Sequence, residues 1–312
     1  MEYILLIIGF VLLVKGADFF VDGASSVAGK LKVPSLIIGL TVVSLGTSLP
    51  EAAVSISASL AGDNGISLGN VIGSNIFNLL MVVGISSIIL PVVTDNAVLT
   101  RDMPVNIGIT AALLVMLLDG NLSRLDAVIL LLLLAAYMFI LIRSALKNRV
   151  EEAEQKLLSW PKSIIFIVAG AAAIIGGGQL VVNSARTIAI TLGMGETLVG
   201  LTVVAIGTSL PELVTSVVAA KKGDSGIAMG NAVGSCIFNI LFILGMAGVI
   251  KPMNAEGSFF IDTAILIGVS ALMLLFAITK KRTSRIEGAI CVLIYAAYTA
   301  YIIMRAFGIW IF

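Results

Sequence analysis

The chain has 312 residues, 59% of them hydrophobic and only 12% charged, with a mean hydropathy of +1.13. Soluble domains average about 25% charged residues, so this composition describes a polytopic membrane protein, and a net charge of +1 gives no reason to expect nucleic acid or an acidic substrate. Histidine is absent, which excludes imidazole ligands, histidine bases and the usual serine or cysteine triads.

Apolar segments long enough to span a bilayer fall near 3–25, 35–60, 67–90, 103–118 and 123–146, then near 162–187, 196–220, 228–250, 259–279 and 285–308. The first carries no basic flank and reads as a retained helix, not a cleaved signal. Its Lys15, Asp18 and Asp22 are spaced for a local ion pair. The second contains Gly46-Thr-Ser-Leu-Pro-Glu51, a carboxylate in a stretch where an ionised group costs several kcal/mol, roughly 3 or more. The third carries Gly69-Asn-Val-Ile-Gly-Ser-Asn-Ile-Phe-Asn78. A hydrophilic stretch from Lys147 to Pro161 follows the fifth and reads as a short solvated linker. The sixth segment holds Gly176-Gly177-Gly178, which reads as a close-packing or flexible point because no Lys-Ser/Thr follows it as in a phosphate loop. The seventh repeats Gly207-Thr-Ser-Leu-Pro-Glu212, and the eighth carries Gly230-Asn-Ala-Val-Gly-Ser-Cys-Ile-Phe-Asn239. Cys236 and Cys291 lie in separate apolar segments and read as ordinary buried thiols.

A shift of 161 residues superimposes these motifs without a gap. Gly39 to Glu51 faces Gly200 to Glu212 with two mismatches in 13, and Ala135-Ala136-Tyr137 meets Ala296-Ala297-Tyr298. The chain therefore reads as one duplicated unit, 1–146 and 162–312, joined by the linker 147–161. Five spans per unit is an odd number, so the second unit must enter from the opposite face. The expected fold is all-α, ten transmembrane helices in two inverted-topology five-helix repeats, with a site near the midplane between them. Alternating sides places Lys30, Lys32, Arg101, Arg143, Lys147, Arg149, Lys156, Lys162, Lys221, Lys222, Lys280, Lys281, Arg282 and Arg285 on one face. The other face collects Arg124, Arg186, Lys251 and Arg305. The positive-inside bias then puts both termini outside a cell membrane and the linker in the cytoplasm.

On a helix Ser44, Thr47, Ser48, Glu51 and Ser55 share a face, and Ala205, Thr208, Ser209, Glu212 and Ser216 share its counterpart. Pro50 and Pro211, read as mid-helix residues, should kink the chain and free carbonyls at Gly46 and Gly207. The following helices add Asn70, Ser74 and Asn78, and Asn231, Ser235 and Asn239. Gly69, Gly73, Gly230 and Gly234 would let those helices approach closely. Any single Ser, Thr or Asn could serve helix packing alone; two glutamates without a nearby Lys or Arg could hardly do so. Two carboxylates among hydroxyls, amide oxygens and freed carbonyls form an all-oxygen donor set suited to Ca2+ or Na+ and unsuited to Zn2+ or Cu+.

At these residues the chain resembles the sodium/calcium exchangers of the cation/calcium antiporter superfamily, in their compact prokaryotic form. The resemblance implies an antiporter driven by the sodium gradient, not an enzyme, with Ca2+ and Na+ as substrates, no cofactor and no obligate protein partner. Position by position it implies Glu51 and Glu212 as central Ca2+ ligands, aided by backbone oxygens of Thr47 and Thr208. It places Na+ at Ser48, Ser209, Ser74 and Ser235 with main-chain oxygens at Ser44 and Ala205, and sets Asn78 and Asn239 in the middle. Asn239, where potassium-dependent members carry Asp, implies potassium independence. The alternatives from the residues are a Ca2+/H+ antiporter, a passive channel and an intramembrane hydrolase using Ser48 or Ser209. The hydroxyl stripes argue for Na+ over protons, and the missing histidine argues against the hydrolase.

Overall fold

In the computed structural model of this chain the described residues are 1–62, 64–147, 157–194, 205–255 and 257–308. They form α1 (Glu2–Leu31), α2 (Ser35–Thr47), α3 (Leu49–Ala61), α4 (Gly65–Ile89), α5 (Val98–Asp119), α6 (Arg124–Lys147) and α7 (Trp160–Thr191). After these come α8 (Ala205–Thr208), α9 (Leu210–Lys221), α10 (Ser225–Ile250), α11 (Ser258–Lys280) and α12 (Arg285–Ala306). Eight of these helices are long and apolar enough to cross a membrane, and α2 and α3 together are also apolar enough but are bent by 50° at the break between them. The start of the expected seventh span and most of the linker lie outside the described residues.

The helices are layered by composition. The interior is built on α4 and α10, whose Leu68, Ile76, Leu79, Leu80, Val233, Ile240 and Leu241 are inaccessible. Outermost are α6 and α12, which turn Leu125, Leu132, Phe139, Ile286 and Leu293 outward. Apolar side chains facing outward are what lipid, as apolar as leucine itself, permits; association between the helices must then come from close packing and polar contacts. The seam between α1 and α7 shows that packing. A Cβ placed on Gly16 would meet the Gly170 carbonyl at 2.9 Å, and one on Gly177 would meet the Gly9 carbonyl at 2.8 Å. Only glycine lets these two backbones touch, which resolves the triple-glycine segment as a packing point at Gly177. Gly230 and Gly234 likewise sit against the backbone of α2, where an added Cβ would meet Leu36 O and Leu40 Cα at 2.8 Å. The segment that would face Gly69 and Gly73 by the same relation lies largely outside the described residues.

Two short antiparallel pairings tie the loops. β1 (Val92–Val93) pairs with β4 (Arg282–Thr283), and β2 (Asn121–Leu122) pairs with β3 (Met253–Asn254). Val92 opposes Thr283 and Leu122 opposes Met253, so adding 161 to one member of each pair yields the other pair.

Two sequence expectations are corrected, and one feature is added to them. Neither proline sits in mid-helix: α2 ends at Thr47, Ser48 leaves helical geometry (φ −82°, ψ 5°), and Pro50 lies in the first turn of α3. Pro211 occupies the same place after Ser209 (φ −94°, ψ 6°). Proline lacks a donor, and the first turn is where a donor has no partner anyway, so a broken helix satisfies the residue better than a kinked one. Lys15 does not pair with Asp18 and Asp22; Lys222 does, at 3.5 Å and 2.6 Å. Finally, α4 and α10 are not uniform α-helices, because each passes through a π-helical turn, at Asn78–Val82 and Asn239–Leu244.

Candidate cation site

Each glutamate stands in the first turn of a half-helix, Glu51 on α3 and Glu212 on α9, where the unpaired amides of a helix N-terminus favour negative charge. Both are fully buried. An asparagine one helix further on fixes each turn. Asn70 donates to Glu51 O at 3.2 Å and to Ser55 Oγ at 2.9 Å, and Asn231 donates to Glu212 O at 3.2 Å and to Ser216 Oγ at 2.9 Å.

The carboxylates themselves are held crosswise. Ser48, on the α2–α3 break, donates to Glu212 Oε1 at 3.0 Å. Ser209, on the α8–α9 break, donates to Glu51 Oε1 at 3.0 Å and also pairs with Ser74 Oγ at 3.1 Å. Each half of the chain thus grips the acid of the other, and the residues that do so sit where proline interrupts the helix. The hydroxyls at the breaks make no capping bond to their own helices, which leaves them free for this role.

Polar atoms with nothing to bind cluster here. Glu51 Oε2, Glu212 Oε2, Ser235 Oγ, Asn239 Oδ1 and both amide atoms of Asn78 are buried without a hydrogen-bond partner. Among the described residues neither glutamate has an ion-pair partner; the four short pairs involve Arg101, Lys222 and Arg305. Leaving a buried donor or acceptor unmade costs about 1–3 kcal/mol and more for a charge, so the oxygens of this group are ones that a bound cation would satisfy. The donor set fits a hard ion: carboxylate, hydroxyl and amide oxygens, of which Ca2+ takes about 6–8. No group of three or more His, Cys, Asp or Glu residues is present among the described residues.

The remaining residues named from sequence divide. Thr47 is buried, its shortest contact being 2.9 Å to Asn231 Oδ1, so its hydroxyl braces the second half. Ser44 Oγ is spent on Leu40 O at 3.0 Å and Thr41 O at 3.2 Å of its own helix. Thr208 is partly buried beside Ser209. Ala205 opens α8, and the chain just before it lies outside the described residues. One residue escaped sequence reasoning. Asn75, fully buried on α4, donates to Cys236 O at 3.0 Å and accepts from Asn239 Nδ2 at 3.0 Å. Its position faces Cys236 in the other repeat, so a search for duplicated polar residues passes over it.

A membrane protein of many spans that buries two uncompensated carboxylates among unpaired neutral oxygens is, by class, a protein that takes a cation into the bilayer interior. The comparisons agree on which family. The model of the sodium/calcium exchanger protein family matches residues 1–143 and, a second time, residues 162–304. The sodium/calcium exchanger MaX1 of Methanosarcina acetivorans is 36% identical over 344 residues, covering 95% of this chain and 97% of its own. The inner membrane protein YrbG of Escherichia coli is 37% identical over 258 residues, 80% of this chain and 79% of its own. The sodium-calcium exchanger NCX_Mj, in a structure soaked with 2.5 mM Na+ and 0.1 mM Ca2+, matches at a TM-score of 0.85 and 33% identity, covering 96% of this chain and 97% of that one. The chain belongs to the sodium/calcium exchanger protein family, a family of membrane transporters.

Proposed function

We propose that this protein is a secondary antiporter that exchanges Na+ for Ca2+ across the cell membrane by alternating access. Glu51 and Glu212 hold Ca2+ between them, aided by the backbone oxygens of Thr47 and Thr208, and Na+ competes for overlapping oxygens at Ser48, Ser209, Ser74 and Ser235 and at the backbone of Ser44 and Ala205. The observation that carries the reading is the crosswise grip: each carboxylate keeps one oxygen on a serine of the other half and leaves Oε2 free in a site without a base. Two free carboxylate oxygens neutralise one Ca2+, and a second full load of cations would leave uncompensated positive charge in low dielectric. That competition couples the two fluxes.

The architecture proposed with it is ten spans in two inverted five-helix repeats, 1–146 and 162–312, with both termini outside and the linker 147–161 cytoplasmic. The strand pairings support the count, since they need 92–93 on the side of 282–283 and 121–122 on the side of 253–254. An even number of crossings between the members of each pair meets that need only if the connection between α7 and α10 amounts to a single crossing. The glycine seam locks α1 and α7 together as one closely packed pair, a unit suited to moving as a whole against the rest.

The test is 45Ca2+ uptake into proteoliposomes. An outward Na+ gradient should drive it with no pH gradient present; uptake that ignores Na+ and follows an imposed pH gradient would replace this reading with the Ca2+/H+ antiporter.

A further inference from the structure

The middle of the site contains an asymmetry that the repeat does not predict. Asn78 and Asn239 are equivalent by the 161-residue shift and both open a π-helical turn. Those turns face the opposite acids: α3 packs against Asn239–Leu244 and α9 against Asn78–Val82. Yet the two amides are held differently. The backbone carbonyl of Cys236 can only accept, so Asn75 must present its Nδ2 there, at 3.0 Å. This orientation turns Asn75 Oδ1 toward Asn239, which must therefore answer with its own Nδ2, also at 3.0 Å. With its nitrogen fixed, Asn239 has one way left to place its Oδ1, and that oxygen is buried and unpartnered. Each step follows from donor and acceptor chemistry.

Across the repeat the same chain of reasoning stops at once. The counterpart of Asn75 is Cys236, whose thiol is spent on Asn75 O at 3.6 Å and which has no amide with which to orient a neighbour. Asn78 accordingly has neither amide atom bonded.

We propose that Asn75 is a positioning residue for the cation site, setting Asn239 with its carbonyl oxygen toward the ion while Asn78 keeps rotational freedom. The site then has one fixed amide oxygen, on the α10 side facing Glu51, and one adaptable amide, on the α4 side facing Glu212. A fixed oxygen contributes to Ca2+ binding without first losing side-chain freedom, whereas an adaptable one can follow ions of different size and number. The asymmetry makes Asn75 a determinant of the relative affinity for Ca2+ and Na+. This inference rests on the reading of Glu51 and Glu212 as the cation ligands.

The experiment is Na+-driven 45Ca2+ uptake by full-length protein in proteoliposomes, with half-saturating Ca2+ and maximal rate read separately. Asn75→Cys places at this position the residue that the other half already carries, so it is the variant with the least reason to misfold; Asn75→Ala is the second. Each should raise half-saturating Ca2+ by about three- to tenfold, the worth of one hydrogen bond, with a smaller change in maximal rate. The decisive arm repeats Asn75→Cys in an Asn239→Ala background, where a residue acting only through Asn239 has nothing left to position and should add less than about twofold. Equal penalties in both backgrounds, or a wild-type Ca2+ dependence for Asn75→Cys, would overturn the proposal. Glu51→Gln and Glu212→Gln separate its failure from failure of the site itself: if they abolish uptake while Asn75→Cys is silent, only the role of Asn75 falls.

Discussion

The ring of bonds around the carboxylates and the Lys222 end of α9 obey different rules. Around the acids, the serine bonds to the carboxylates and the asparagine bonds that fix each turn are made twice. The bonds of Asn70 and Asn231 to backbone and serine have the same lengths in both halves, and Ser48 and Ser209 reach across at 3.0 Å in both. At the end of α9 the ion pairs of Lys222 are not duplicated. Lys222 binds Asp22 at 2.6 Å, and Asp224 accepts from Ser25 at 3.0 Å and Ser35 at 2.8 Å. The positions equivalent to Lys222, Asp18 and Asp22 are Ala61, Gln179 and Asn183, with no charge among them. In the inverted-repeat architecture proposed above, an ion bound midway meets the same chemistry whichever face is open, which gives the duplication there a function. The contacts that close one face need not match those that close the other. They are where a difference between the outward-open and inward-open states can be written.

The comparison yields graded expectations. Glu51→Gln and Glu212→Gln should each abolish Na+-driven 45Ca2+ uptake, because one remaining negative charge leaves a buried divalent ion uncompensated; near-wild-type flux in either would break the claim that the duplicated acids act together. Ser48→Ala and Ser209→Ala each remove a hydrogen bond to a charged group, so half-saturating Ca2+ should shift by about tenfold or more. The two shifts should agree within about a factor of three, and a large effect from one beside silence from the other would show that the halves are not equivalent even at the acids. Arg305→Met leaves Asp262, joined to it by bonds of 3.0 and 2.8 Å and almost inaccessible, without its partner. A loss of about 3–5 kcal/mol is expected in detergent unfolding, relieved in part by the double change with Asp262→Asn. Lys222→Ala should be the mildest. Its ion pairs are partly exposed, so stability should change by less than about 1 kcal/mol. Cysteine accessibility near the end of α9 should nonetheless rise, and an unchanged pattern would remove Lys222 from any part in closing that face.

How much of this could be read from the amino acids depends on distance along the chain. The duplicated motifs exposed the two acids and their serine faces directly, because Ser48 to Glu51 and Ser209 to Glu212 lie within one helical turn. The crosswise pairing was not legible: spacing places Ser48 beside Glu51, while the fold gives it Glu212, 164 residues away. Lys222 was hidden for the same reason, since local spacing offered Asp18 and Asp22 a partner at Lys15 and the actual partner comes from the other half. Pro50 was placed wrongly because proline marks a helix interruption without saying on which side the break falls; Ser48, with its hydroxyl engaged elsewhere, takes the non-helical geometry. Asn75 was missed because a method built on repetition is blind to a residue that matters by failing to repeat.

Equilibrium 45Ca2+ binding to the purified protein tests the central claim, a single site shared by the two carboxylates, most directly. Wild-type protein should bind one Ca2+ per chain, displaced by Na+, and both Glu51→Gln and Glu212→Gln should lose that one ion. Two Ca2+ ions per chain, with each variant losing one and keeping the other, would mean that the acids work in separate sites and would contradict the account.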